Sequence, residues 1–185
     1  MSAILAIICG LAVVGLDQLT KYLVTVYMEP NEVIAVIPGL INFNRIPPNT
    51  GAAFGMLAGQ TWFLITVTCV VMIMCIAMLI RKTFDSRLMF WALCLVLGGG
   101  LGNLIDRIFR GGSVVDFLEF GFFEFPVFNV ADCAVCIGAG LILLYFIMDF
   151  VKDARRKTDI DAINAESDTE IEQENTRVGE SNNDN

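Results

Sequence analysis

Apolar residues in this chain come in long unbroken runs, and strict alternation is rare. The first run extends from Ala3 to Val26 and is interrupted by Asp17 and Lys21. The second, Trp62 to Ile80, holds no charge; the third covers Leu88 to Ile105; the fourth runs from Val127 to Met148, with Asp132 near its start. A helix needs about 20 mostly apolar residues to cross a bilayer, so the pattern predicts an all-α transmembrane protein, a four-helix membrane bundle. Between the first two runs the pattern changes. Val33, Ile34, Val36, Ile37, Ile41 and Phe43 are strand formers broken by the turn signal Pro38-Gly39, which predicts a small extracytoplasmic β element in the first outer loop, lying on the membrane surface. The segment Pro47-Pro-Asn-Thr-Gly-Ala-Ala-Phe-Gly55 then punctuates the chain before the second run. A plain connection is one reading of this loop, but loops this long with strands of their own tend to carry function.

Composition agrees: 56% of the 185 residues are hydrophobic, against about 45–50% apolar in soluble chains. The net charge of −8 is not spread over the molecule, because much of the acid follows Lys157. The chain therefore divides into a four-span domain, 1–157, and an acidic segment, 158–185, whose few large apolar residues predict a disordered, solvated cytoplasmic tail. Basic residues set the orientation. Arg81, Lys82 and Arg87 crowd the link between spans two and three, and Lys152, Arg155, Arg156 and Lys157 follow span four. Both clusters belong inside, which predicts a multi-pass membrane protein with both termini cytoplasmic. The first run lacks a basic leader and carries Asp17, so it reads as a retained span. The six cysteines all fall in apolar stretches and read as small packing residues; Cys133 and Cys136 form a CxxC without the thioredoxin-like context of a redox motif.

Ionisable residues at membrane depth cost about 2.5–3.5 kcal/mol each on insertion scales, so they usually mark a site. Asp17, Lys21, Asp106, Arg107, Asp116 and Asp132 all fall at the outer ends of spans one, three and four or in the adjoining loop. A carrier pathway would spread such residues through the membrane, and four spans without an internal repeat make a poor transporter; a bare scaffold leaves their cost unexplained. Span three ends Gly98-Gly-Gly-Leu-Gly-Asn-Leu-Ile-Asp-Arg107, where the glycines alone indicate no more than close packing. Asn103 and Asp106 share a helix face, as do Asn129 and Asp132 at the start of span four.

With no histidine in the chain, Ser-His-Asp, Cys-His and HExxH chemistry is excluded. The cysteines lack metal-ligand spacing, and neither a nucleotide-binding motif nor a basic patch for nucleic acid is present. Aspartates remain. Paired carboxylates suit peptide hydrolysis, one ionised to take a proton from water and the other protonated to polarise the carbonyl. Two unit charges about 4 Å apart at an effective dielectric of about 20 repel by about 4 kcal/mol, so carboxylates that meet hold one proton between them. Asp116 lies on an outer loop and Asp132 at the adjoining end of span four; either alone could equally be a capping or ion-pair residue.

Five segments carry a resemblance: Asp17-Gln-Leu-Thr-Lys21, Asn49-Thr-Gly-Ala-Ala-Phe54, Gly98 to Arg107 as quoted above, Val114-Val-Asp-Phe117 and Phe128-Asn-Val-Ala-Asp132. In this order on a four-span chain they resemble the lipoprotein signal peptidases, the bacterial type II signal peptidases, over nearly everything from Asp17 to about Leu144. The resemblance implies an aspartic endopeptidase of the bacterial cytoplasmic (inner) membrane that removes signal peptides from diacylglyceryl-modified prolipoproteins, cutting before the lipidated cysteine on the extracytoplasmic side. It maps the catalytic pair onto Asp116 and Asp132 and supporting positions onto Asn49, Asn103, Arg107 and Asn129. Asp17, Lys21 and Asp106 become structural polar residues. No cofactor or metal is implied; the expected partners are prolipoproteins and membrane lipid, met by a monomer.

Overall fold

The computed structural model describes residues 3–51, 56–81, 83, 84 and 86–183, with side chains left out at 3, 159 and 161–183. The predicted spans are helices: α1 (Ala3–Tyr27), α2 (Thr61–Arg81), α3 (Arg87–Phe109) and α4 (Val130–Asn183). Each contains a stretch long and apolar enough to cross a membrane. Residues 1–142 form one compact unit, which holds everything discussed below, and 143–185 form another. In the acidic segment 158–185, expected to be a disordered tail, the backbone continues α4 as helix to Asn183, no side chain past Ile160 is described, and residues 184 and 185 lie outside the described residues.

Within the first unit, α3 is the hub. Half of its spanning stretch is buried, against 11% in each of the other three. Both α1 and α2 pack on it, and its glycines are the reason α4 can come close. A Cβ at Gly99 would collide with the carbonyl oxygen of Ala131 on α4, and one at Gly102 would lie 2.6 Å from Asp17 Oδ2 on α1. The remaining apolar surface of α1 and α2, such as Ile7, Leu11, Ile73 and Met74, is exposed in the protein itself, as lipid contact requires.

The two helix ends nearest the aspartates differ from the apolar runs. Span three continues past Ile105 to Phe109 because Asp106, which looks like a terminator, is buried and paired inside the helix. Span four starts at Val130, not Val127, because Asn129 caps it: Asp132 N–H donates to Asn129 Oδ1 (2.9 Å) and Asn129 N–H donates to Asp132 Oδ2 (3.1 Å), a reciprocal N-terminal cap.

The α1–α2 and α3–α4 loops build one antiparallel sheet in the order β1 (Val33–Ile37), β2 (Ile41–Asn44), β3 (Leu118–Phe120). The β1–β2 hairpin turns at Pro38-Gly39, with Gly39 at φ 75°, as the first loop predicts. The third strand comes from the second outer loop and pairs Ile41 with Phe120 and Phe43 with Leu118. A further bridge joins Asn49 to Val114, each N–H donating to the other's carbonyl at 2.8 Å. These pairings fasten the segment carrying Asn49 to the segment carrying Asp116.

Candidate active site

A sealed ionic cluster underlies the site. Asp17 and Lys21, one turn apart on α1, and Asp106 on α3 are all fully buried. Lys21 Nζ lies 2.9 Å from both Asp17 Oδ2 and Asp106 Oδ2 and donates to Asn103 Oδ1 at 3.0 Å, so its three protons have three acceptors. Asp17 Oδ1 accepts from the N–H of Ala131 in the first turn of α4 at 2.9 Å. Asp106 also accepts from the N–H of Val115 (3.2 Å) and from Arg110 Nε (3.1 Å). The Gln18 amide reaches Asp17, Asp106 and the Gly102 carbonyl at 3.1–3.2 Å. One cluster thus locks α1, α3, the 110–117 loop and the start of α4 together.

Asn103 and Asn129 connect this cluster to the two remaining aspartates. The Asn103 oxygen accepts from Lys21 and from Asn129 Nδ2 (3.1 Å), which leaves its NH₂ turned to Asp132 Oδ1 at 2.7 Å. The Asn129 NH₂ also donates to Asp116 Oδ1 at 2.7 Å, and Asn49 Nδ2 donates to Asp116 Oδ2 at 3.0 Å. Every oxygen of both carboxylates therefore has a donor. Asn49 is held in turn by the N–H of Gly51 on its oxygen (2.8 Å), and Arg107 Nη2 donates to the Gly51 carbonyl at 3.2 Å. Burial pushes the Asp116 carboxyl up to about 6; the amides of Asn49 and Asn129 and the Lys21 ammonium pull it down, and Asp132 pushes it further up.

Asp116 and Asp132 line one cavity of about 1000 Å³, together with Asn49, Asn103 and Arg107. Its walls are otherwise largely apolar: Val67, Val71 and Met72 from α2, Val96 from α3, Val135 and Ile137 from α4, and Phe120, Phe125 and Phe128 from the second outer loop. Asn129 sits behind the wall, fully buried, and Asp17, Lys21 and Asp106 do not line the cavity. The Nε of Arg107 is buried without a hydrogen-bond partner. Of the motif Asn49–Phe54, residues Ala52, Ala53 and Phe54 lie outside the described residues.

Some participants were not singled out from the sequence. Gln18 stands inside a quoted motif, yet its neutral side chain signals nothing at sequence level. Arg110 sits four residues after Asp106, a spacing that does advertise a helical ion pair. Cys133 and Cys136, expected to be packing residues, line the cavity, and all six cysteines are free thiols. Among the described residues no three His, Cys, Asp or Glu side chains are placed to hold a metal ion.

Residues 9–148 match the family described as signal peptidase (SPase) II. A lipoprotein signal peptidase of Brevibacillus brevis is 45% identical over 141 residues, which cover 76% of this chain and 93% of that protein. One of Shouchella clausii is 44% identical over 144 residues, covering 78% and 93%. A solved structure described as a bacterial membrane enzyme determined by the in meso method at 2.3 Å is 33% identical, with a TM-score of 0.75 and coverage of 80% of this chain and 90% of that one. A second, at 1.9 Å, is 34% identical with a TM-score of 0.72, covering 80% and 95%. The likeness runs through all four spans and through every segment that contributes to the cavity's polar wall, and on that ground the chain belongs to the signal peptidase II family, bacterial membrane peptidases that cut signal peptides from prolipoproteins.

Proposed function

We propose that Asp116 and Asp132 are the catalytic pair of an aspartic endopeptidase that cleaves diacylglyceryl-modified prolipoproteins before the lipidated cysteine. The observation that carries this reading is their common cavity, with Asn129 donating to Asp116 from its side chain and to Asp132 from its backbone. The ionised carboxylate takes a proton from water as the water oxygen attacks the scissile carbonyl carbon, and the protonated partner gives its proton to the carbonyl oxygen. In the next step the first carboxyl protonates the departing nitrogen and the second recovers a proton from the gem-diol. The C–N bond breaks, and the pair ends with the single proton it began with.

Asn49, Asn103 and Asn129 hold the two carboxylates by their oxygens, and Arg107 fastens the Gly51 carbonyl at the cavity edge. Asp17, Lys21 and Asp106 act one step back, as the frame on which Asn103 and the start of α4 are set. Arg81 and Arg87 lie at the ends of α2 and α3 away from Asp106, which supports a cytoplasmic placement for that end and an extracytoplasmic one for the dyad. The decisive experiment incubates purified protein with a lipidated prolipoprotein and follows cleavage on a gel. Cleavage before the modified cysteine by the unaltered protein and none by Asp116→Asn or Asp132→Asn is expected; unimpaired cleavage by either variant would overturn the assignment.

A further inference from the structure

Five phenylalanines of the second outer loop touch one another in a continuous cluster. Phe120 lies 5.1 Å from Phe123 in a stacked arrangement and 5.0 Å from Phe128; Phe122 is 4.8 Å from Phe123, and Phe125 is 5.9 Å from Phe128. The cluster has two faces. Phe120, Phe125 and Phe128 line the cavity that contains Asp116 and Asp132, while Phe122 and Phe123 are 60% and 47% exposed on the outside. The N–H of Gly121 donates to the Leu40 carbonyl at 2.9 Å, which holds the loop against the hairpin turn and beside exposed Ile37 and Leu40. Apolar surface of this kind marks an interaction site, and here it is continuous with the wall of the dyad cavity.

We propose that the ring cluster is the subsite for the acyl chains of the substrate's diacylglyceryl group. The inference rests on the peptidase reading above and specifies which part of the substrate these residues take. The signal helix precedes the scissile bond and needs the deep walls of α2, α3 and α4. The acyl chains start on the residue that follows the bond, so they leave the dyad in another direction. The rings supply an apolar path from the dyad to the protein's outer edge, where chains embedded in the outer leaflet can lie against Phe122 and Phe123. Rings that stack on one another are ordered before the substrate arrives, so little freedom is lost when chains settle on them.

The test uses synthetic prolipoprotein peptides with long or short acyl chains, presented in detergent micelles to the full-length protein. Burying a phenyl ring against hydrocarbon is worth enough to change binding about tenfold. The Phe122→Asn/Phe123→Asn protein should therefore show about a tenfold higher KM for the long-chain peptide, kcat within about twofold, and little preference left between the two peptides. The Phe122→Leu/Phe123→Leu protein, which keeps the apolar surface, should retain most of that preference. A KM rise equal for both peptides would make the rings a bilayer anchor and overturn the proposal, as would an unchanged preference. Independently of turnover, a long-chain peptide bearing a photoreactive diazirine in its acyl chains, bound to the Asp116→Asn protein, should label residues 120–128; label confined to the helices would also overturn it. If the unaltered protein cleaves neither peptide, the peptidase reading falls, and the labelling still decides where the chains lie.

Discussion

Two groups of aspartates stand one asparagine apart in this protein and meet opposite fates. Asp17 and Asp106 share a lysine ammonium that is fully buried with them. Asp116 and Asp132 receive amide and backbone donors but, among the described residues, no cation at bonding distance, and they face a cavity. A buried carboxylate matched to a buried ammonium becomes a strut, because breaking the pair strands an uncompensated charge. A buried carboxylate held only by neutral donors keeps its proton within reach, as the rise of Asp116 to about 6 illustrates. Residue type is the same in both groups; the partner decides whether the group holds the fold or is free to exchange protons.

The sharpest way to break this contrast is to neutralise each aspartate in turn. Asp116→Asn and Asp132→Asn should each lower cleavage at least about a thousandfold in folded protein, and the double variant should be hardly worse, because the pair acts as one unit. Asp17→Asn and Asp106→Asn should reduce yield and stability while leaving measurable turnover per folded molecule. A dead but well-folded Asp17→Asn protein would erase the distinction. Lys21→Met tests the strut from its other side: with Asp17 left buried without a cation and Asp106 left with Arg110 alone, stability should fall by about 3–5 kcal/mol, read as a lower Tm in detergent micelles. An unchanged Tm would show that the cluster bears no stress.

Acid–base behaviour sharpens the other half. The proposed pair needs one proton, which is lost as pH rises through the elevated Asp116 value, so kcat/KM should decline on the alkaline side above about pH 6. Asn49 donates to the Asp116 carboxylate and favours its anion. Removing that donor with Asn49→Ala raises the carboxyl further and should move the alkaline limb to higher pH, besides lowering the rate. A limb that stays put, or moves to lower pH, would contradict the account. The smallest effect belongs to Arg110, whose bond to Asp106 comes from a side chain 34% exposed to solvent. Arg110→Ala should cost at most about 1 kcal/mol, well below Lys21→Met, although both cations contact the same carboxylate.

Local signals carried well from sequence to structure. Four apolar runs became four helices, and the strand formers around Pro38-Gly39 became the β1–β2 hairpin, because each depends on residues within a few positions of one another. The third strand was not legible: Leu118–Phe120 is three residues long and is defined by its partners in β2, over seventy positions earlier. The helix ends shifted for a related reason. Asp106 stays inside α3 because Lys21 of α1 neutralises it, and no reading of the segment around residue 106 contains that information. The candidate residues could be named from motifs, but the meeting of Asp116 with Asn49 and Asn129 requires the loop pairing of Asn49 with Val114, which is again non-local. Likewise the Phe-rich run 120–128 is visible in the sequence, whereas its two faces are not.

The ion pair within α1 has a consequence for how the molecule is made. Asp17 and Lys21 lie one turn apart on α1, so that helix carries its own counter-ion into the bilayer before α3 and α4 are made. Asp106 and Asn103 arrive with the third helix, and the Ala131 N–H that completes Asp17 arrives with the fourth, together with Asp132. The supports of the proposed dyad therefore close only when the fourth span is in place, and a chain that stops short of it has no assembled means of cutting anything.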